Sequence, residues 1–194
     1  MSRMQRSVEL ALAAVLLVCA VAFLINTPYL SVGVNSALIA LFLAATYGYM
    51  RWRFRLRIPL MLFVLVFAAL QVDALGNYFH LYTTERRPIR YDEFAHLIVQ
   101  TLIMPVVVWL VRTWFGRIDA RIPMGLASFF AVTAMFSLSA FYEVVELWDE
   151  VYFGGRRIWS LHDSAGDLQW DLCGILLGVV LAHVIVDKPA MPVR

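Results

Sequence analysis

Residues 141–150, FYEVVELWDE, close a long apolar stretch and place two carboxylates inside it. In a helix, Glu143 and Glu146 lie one turn apart and share a face. A charged residue near the centre of a bilayer costs roughly 2.5 to 3.5 kcal/mol on insertion scales. Such a pair therefore needs water, protons, a metal ion or cationic partners, and we expect the function of the chain to depend on how that need is met.

The composition is that of an integral membrane protein. Of 194 residues, 62% are hydrophobic and 15% are charged, which is too little polar surface to cover a water-soluble domain. The sequence has no glycine-rich phosphate loop, and its basic residues lie where membrane orientation requires them, so nothing indicates a nucleotide or nucleic-acid partner. Cys19 and Cys173 both lie in apolar stretches, which predicts small buried hydrophobes rather than a disulfide or metal ligands.

Six apolar segments approach or exceed the length that a helix needs to cross about 30 Å of hydrocarbon. Lipid offers the backbone no hydrogen-bond partners, which favours helices. We therefore predict an all-α fold, a polytopic membrane helical bundle that forms one domain over residues 1–194. The first segment follows Arg3 and Arg6, and a removable signal peptide competes with our interpretation of it as a membrane anchor. The six predicted transmembrane helices are 7–25, 32–50, 58–80, 92–115, 122–148 and 163–186.

The basic residues predict how the helices are oriented. If each helix crosses once, 11 of the 16 Lys and Arg residues fall on the side of the N-terminus and five fall on the opposite, outer side. The positive-inside rule then places both termini and the RWRFRLR loop at residues 51–57 in the cytoplasm.

Polar side chains form stripes at helical spacing on the last four helices. Because successive helices alternate in direction, all four stripes are predicted at the outer ends, whereas several inner halves carry no charge. This one-sided distribution predicts an outward-facing polar cavity, roughly one to two turns deep. The stripes are Asp73, Asn77 and His80; Asp92, His96 and Gln100; Glu143, Glu146 and Glu150; and Asp163, Asp167 and Asp171.

Small residues on the sixth helix extend its acidic stripe. Gly174, Gly178 and Ala182 follow Asp167 and Asp171 on the same face. Because small residues at this spacing let helices approach closely, the acids on the stripe are predicted to face the bundle rather than lipid.

Carboxylates with one or two imidazoles are the ligand set of Zn²⁺, Mn²⁺, Fe²⁺ or Mg²⁺. A bound cation would relieve the repulsion among the acids, and surplus groups would orient ligands or act as general bases. One metal, two metals or none remain open, the last being a network of protonated acids paired with Arg and His. The predicted metal ligands are Asp92, His96, Asp73, His80, Glu143 and Asp171, and the predicted catalytic residues are Glu143, Glu146, Asp167 and Asp171.

Five arginines flank the mouth of the predicted cavity. Guanidinium groups fit phosphate bidentately, which favours an anionic lipid headgroup or a polyprenyl phosphate as substrate. Pairing with nearby acids is the competing role. The predicted substrate-binding residues are Arg86, Arg87, Arg90, Arg156, Arg157 and Asn77.

Three stretches resemble the YjdF-like family of bacterial inner-membrane proteins, whose function is uncharacterised. They are YDEFAHLIVQ at 91–100, FYEVVELW at 141–148 and GDLQWDLCGILLG at 166–178. The resemblance implies a multi-pass protein of the bacterial inner (plasma) membrane and a shared set of polar positions. These positions are Asp92, His96, Glu143, Glu146, Asp167 and Asp171. A more distant similarity to VanZ-like proteins, which pair Asp-x-x-x-His with a later Asp-x-x-x-Asp, implies a cell-envelope role without naming a reaction.

Three functions fit these residues, and the sequence alone leaves open whether the protein is an enzyme. The favoured hypothesis is a membrane-embedded, metal-dependent enzyme that acts from the outer face on an amphiphilic envelope substrate. The second is a non-catalytic envelope protein whose polar network fixes helix register. The third is a proton- or cation-coupled transporter, against which the charge-free inner halves argue. The oligomeric state is not predicted.

Overall fold

A computed structural model of the chain describes residues 32–83, 89–118, 122–154, 158 and 162–186. Within these ranges the structure is helical and has no strand, which confirms the all-α class. The first predicted segment, 7–25, lies outside them. The five α-helices correspond to the second to sixth predicted segments. They are α1 (Val32–Phe54), α2 (Leu60–Tyr78), α3 (Tyr91–Arg117), α4 (Met124–Trp148) and α5 (Asp163–Ile185), with a 3₁₀ turn at Leu81–Thr83 and a π-helical turn at Asp149–Phe153.

The ends of the helices differ from the predicted ones by a few residues. α1 continues past 50 to Phe54, since Arg51 and Arg53 in its last turn interact favourably with the helix dipole. α2 ends at Tyr78, so His80, predicted as its last residue, lies outside the helix. The φ angle of His80 is 53°, a left-handed conformation that an α-helix of L-residues does not contain.

The described helices belong to two compact units, Met1–Thr83 with Ala190–Arg194, and Thr84–Pro189. In the first, α1 packs on α2, and the rings of Tyr47 and Phe63 meet edge to face with their centroids 5.2 Å apart. The second, which we call the three-helix unit, consists of α3, α4 and α5.

Glycines let α3 and α5 approach closely in the three-helix unit. A Cβ atom at Gly174 would lie 2.9 Å from Cβ of Gln100, and one at Gly178 would lie 2.8 Å from the carbonyl oxygen of Thr101. Only glycine fits at such distances. Asp163, Asp167, Asp171, Gly174, Gly178 and Ala182 are all buried, which confirms the face predicted from the small-residue stripe.

Cys173 corrects one expectation, because its side chain is exposed and its thiol is free. It lies two residues after the buried Asp171, and an advance of 100° per residue turns it to nearly the opposite face of α5. An apolar sequence context alone therefore did not indicate burial.

Three helices among the described residues are long and apolar enough to cross a membrane. They are Tyr91–Arg117, Met124–Phe153 and Asp163–Ile185, whereas the apolar stretch Leu60–Gly76 in α2 is shorter. All three belong to the three-helix unit. Six crossings and cytoplasmic termini stay predictions.

Candidate functional site

α3 and α5 bring an imidazole and a carboxylate together inside the three-helix unit. Nδ1 of His96 lies 2.9 Å from Oδ1 of Asp171, and Asp171 is only 2% exposed. The close approach at Gly174, three residues after Asp171, holds the two helices at this separation. A buried carboxylate needs a donor, so Asp171 favours the tautomer that carries its proton on Nδ1. In a neutral ring this leaves the lone pair on Nε2.

The Nε2 atom of His96 faces two further carboxylates. Oδ1 of Asp92 lies 3.9 Å from it, and Oδ1 of Asp167 lies 4.0 Å from it. The three side chains, which we call the Asp-His-Asp group, each offer one ligand atom, and these atoms lie within 4.8 Å of one another. Ligands about 2.0 to 2.2 Å from one ion lie roughly 3 to 3.5 Å apart, so small side-chain movements would let one ion bind all three.

Asp167 is the member of this group that most needs a cation. Its side chain is 3% exposed, and its Oδ1 atom makes no hydrogen bond to any part of the chain that the structure describes. Asp92 interacts with it electrostatically, and two neighbouring carboxylates repel each other. His96 is the basic side chain within 4.0 Å, and its other nitrogen already contacts Asp171.

Glu143 lies beside this group, on α4. It is 6% exposed, and neither carboxylate oxygen makes a hydrogen bond of good geometry to the described residues. It interacts electrostatically with His96, Asp171 and Glu146, and with the hydroxyl of Ser164. Glu146 is half-buried, so the pair that shares a face in sequence differs in burial.

A hydrogen bond between α3 and α4 closes the site on its inner side. Nε2 of Gln100 donates to Oγ of Ser139 over 2.8 Å, and Oε1 of Gln100 is buried without a partner among the described residues. Gln100 lies four residues after His96, and Ser139 lies four residues before Glu143, so this pair is one turn deeper. The next buried residue of α3 is the apolar Met104.

An arginine network lies at the start of α3 and α5. Nε of Arg90 lies 3.2 Å from Oε1 of Glu93, and Nη1 lies 2.9 Å from Oδ1 of Asp163, whose side chain is 3% exposed. The backbone N–H of Arg90 also donates to Oε2 of Glu93 over 3.0 Å. The hydrogen bond to Asp163 raises the pKa of Arg90. Asp163, the first acid of its stripe, therefore pairs with Arg90.

The structure brings together only some of the predicted site residues. Asp92, His96, Glu143, Asp167 and Asp171 converge in the three-helix unit. His80 is exposed and belongs to the other unit. Roles for Asp73, Asn77, Arg86, Arg87, Arg156 and Arg157, whose side chains lie outside the described residues, stay predictions.

Two roles in the predicted site change with the geometry. Asp167, predicted as catalytic, lies in the ligand group, whereas Asp171, predicted as a ligand, contacts the far nitrogen of His96. Ser139 and Ser164 were missed. Their signal was their spacing, since Ser139 precedes Glu143 by four residues and Ser164 directly follows Asp163.

Apolar helices of membrane-spanning length around a buried Asp, Glu and His group define an integral membrane protein with a candidate cation site. The family model described as "Predicted membrane protein (DUF2238)" matches residues 8–188, so the chain belongs to this family. No match was found among curated proteins or among solved structures. The likeness to YjdF-like and VanZ-like proteins stays a prediction.

Proposed function

We propose that this membrane protein binds a divalent metal ion at Asp92, His96 and Asp167 and uses it as an enzyme on an amphiphilic envelope substrate. The observation that carries the proposal is the 2.9 Å contact between Asp171 and Nδ1 of His96. Histidines that bind metals usually donate their other N–H to a carboxylate or carbonyl, which fixes the ring and makes the ligand more basic.

The number of ligands favours a catalytic site over a structural one. Structural zinc sites are closed by four protein ligands, whereas catalytic sites have three and keep a position for water or substrate. The Asp-His-Asp group supplies three. Its two carboxylates and single imidazole suit Zn²⁺, Mn²⁺ or Fe²⁺, and Mg²⁺ when oxygen ligands dominate.

Glu143 fits the role of general base. Its carboxylate is buried beside His96, and neither oxygen is tied up in a hydrogen bond with the described residues. A carboxylate placed in this way can accept a proton from a nucleophile as that nucleophile attacks. The metal, when bound, would polarise the group under attack.

The position of the site favours an amphiphilic substrate. His96 and Glu143 both lie within helices long enough to cross a membrane, so a substrate that reaches them must place its reactive group at membrane depth. A phosphorylated lipid would do so, with its phosphate as the natural ligand of the metal. The counts of basic residues favour an outward-facing site in the bacterial inner membrane.

A transport pathway has less support within the three-helix unit. Beyond the pair formed by Gln100 and Ser139, α3 continues with Met104 and Val108, both 0% exposed, and α5 continues with Ile175, also 0% exposed. A pathway for ions needs polar groups through both halves of the membrane.

Metal analysis of the detergent-purified protein tests the proposal. Inductively coupled plasma mass spectrometry of wild type should find close to one divalent ion per chain, and His96→Ala and Asp167→Asn should lose it. Glu150→Gln, which changes an exposed acid beyond the end of α4, is the control that should keep the metal. A wild type without metal after purification in chelator-free buffer would rule the proposal out.

The enzymatic half needs a second measurement. Metal-loaded wild type should release phosphate from at least one of a panel of phosphorylated lipids in mixed micelles, including phosphatidic acid and a polyprenyl phosphate. Glu143→Gln should keep the metal and lose the release. A metal-loaded wild type that is inactive on the whole panel would restrict the site to binding.

A further inference from the structure

The buried polar atoms of the site that lack hydrogen bonds are all acceptors. Among the described residues, they are Oε1 of Gln100, both carboxylate oxygens of Glu143 and Oδ1 of Asp167. A buried acceptor without a donor costs about 1 to 3 kcal/mol. The Asp-His-Asp group accounts for Asp167, whereas Glu143 and Gln100 call for a donor of their own.

The basic side chains described around the site are already paired. Arg90 contacts Glu93 and Asp163, and both nitrogens of His96 face aspartates. The Ser164 hydroxyl interacts with Glu143, but it is neutral and leaves the negative charge uncompensated. Among the described residues, no side chain supplies a positive charge to Glu143, and a ligand with such a charge would fit there.

Three acceptors lie close enough to share one small group. Gln100 is fixed by its hydrogen bond to Ser139, and Ser139 lies four residues before Glu143 on α4. Four residues of helix span about 6 Å, so the Gln100 carbonyl and the Glu143 carboxylate lie about one turn apart in depth. A primary ammonium has three N–H donors, which matches Oε1 of Gln100 and the two oxygens of Glu143.

We propose that Glu143 and Gln100 form a subsite for a primary ammonium group, and that the substrate is an aminophospholipid whose phosphate binds at the metal. Phosphatidylethanolamine carries both groups two carbon atoms apart. The phosphate half rests on the proposed function, while the ammonium subsite depends only on Glu143 and Gln100. A quaternary ammonium has the same charge but no N–H donor, and it cannot satisfy these acceptors.

The lipid series that tests this keeps the charge and removes donors one at a time. Native mass spectrometry of the purified protein should measure binding of dioleoyl phosphatidylethanolamine, its N-methyl and N,N-dimethyl derivatives, and dioleoyl phosphatidylcholine. Hydrogen bonds to a charged group contribute enough to favour phosphatidylethanolamine over phosphatidylcholine about tenfold in wild type. Affinity should fall stepwise with each methyl group.

Two variants and one control assign that preference to the subsite. Glu143→Gln should bring the ratio of the two affinities close to one, and Gln100→Leu should reduce it. Glu150→Gln should keep it. The Gln100→Leu result also serves if Glu143→Gln does not elute as a folded monodisperse protein. Equal affinities across the series in wild type, or a ratio unchanged in both variants, would overturn the inference.

The outcome separates this inference from the proposed function. A metal-containing wild type that binds all four lipids equally keeps the metal site and removes the ammonium subsite. A metal-free wild type with the full preference keeps the subsite and removes the metal-dependent enzyme. If both hold, a chelator should weaken binding of all four lipids by the same factor, because it removes only the phosphate contact.

Discussion

Asp171 contacts His96 across the interface of α3 and α5, with Oδ1 lying 2.9 Å from Nδ1. Asp171 thus lies behind the ring, on the side away from Asp92 and Asp167, which face Nε2. Asp171 orients the imidazole, and the other two aspartates supply oxygens to whatever Nε2 binds.

The first prediction concerns this division of roles. Asp171→Asn should lower metal affinity about 10- to 100-fold, the usual effect of losing a carboxylate that orients a metal-bound histidine. Asp167→Asn removes a ligand and should lower it further. Competition with a fluorescent chelator measures both, and Glu150→Gln should match wild type. Equal losses in the two aspartate variants would place Asp171 among the ligands instead.

The second prediction concerns the packing that positions this pair. Gly178→Ala would force a methyl group against Met104 and the carbonyl of Thr101, so α3 and α5 must separate. Overpacking of this kind destabilises a protein by about 1 to 3 kcal/mol. Gly125→Ala, where nothing lies within 4 Å of the added atom, is the matched control and should leave the thermal unfolding midpoint in detergent unchanged or raised. Equal midpoints for the two variants would contradict the close packing.

The face of α5 that lines the site could be predicted from sequence because helical spacing alone determines it. Asp167, Asp171, Gly174 and Gly178 share a face in any α-helix, and the small residues indicated that this face meets another helix. The helical class followed from apolar length in the same way. These are properties of one helix, which its own residues determine.

The roles of Asp167 and Asp171 could not be assigned in advance, since they depend on how α5 is placed along α3. A shift of one helical turn, about 5.4 Å, would bring Asp167 opposite Nδ1 of His96 and leave Asp171 one turn too deep. The contacts of Gly174 and Gly178 with α3 fix that placement, and they depend on two segments about 75 residues apart. The pairing of Arg90 with Asp163, across 73 residues, is non-local for the same reason.

The third prediction concerns Arg90. Arg90→Gln should destabilise the three-helix unit by about 1 to 3 kcal/mol, because it leaves the buried carboxylate of Asp163 without its charged donor. The half-exposed guanidinium keeps this below the effect of a fully buried ion pair. Thermal unfolding measures it, with Arg57→Gln, an exposed arginine of the other unit, as control. Metal content should not change.

Arg90 was also predicted from sequence to bind an anionic substrate, and the same variant tests that role. If its two carboxylate contacts are its whole function, Arg90→Gln should bind phosphatidylglycerol and phosphatidylethanolamine with the wild-type ratio once stability is matched by temperature. A selective loss of the anionic lipid would assign it to substrate binding.

The last prediction separates a metal site from a self-satisfied polar network, through the sign of a stability change. In chelator, Asp167→Asn should unfold at or above the wild-type temperature, because it replaces a buried carboxylate that lacks a hydrogen bond at Oδ1 with a neutral amide. With metal at about 100 times its dissociation constant, wild type should gain about 2.7 kcal/mol and the variant almost nothing, so the order of the two proteins reverses. A closed network predicts the opposite pattern. In that case Asp167→Asn would break a satisfied arrangement, and wild type would be the more stable protein by the same margin with metal and with chelator.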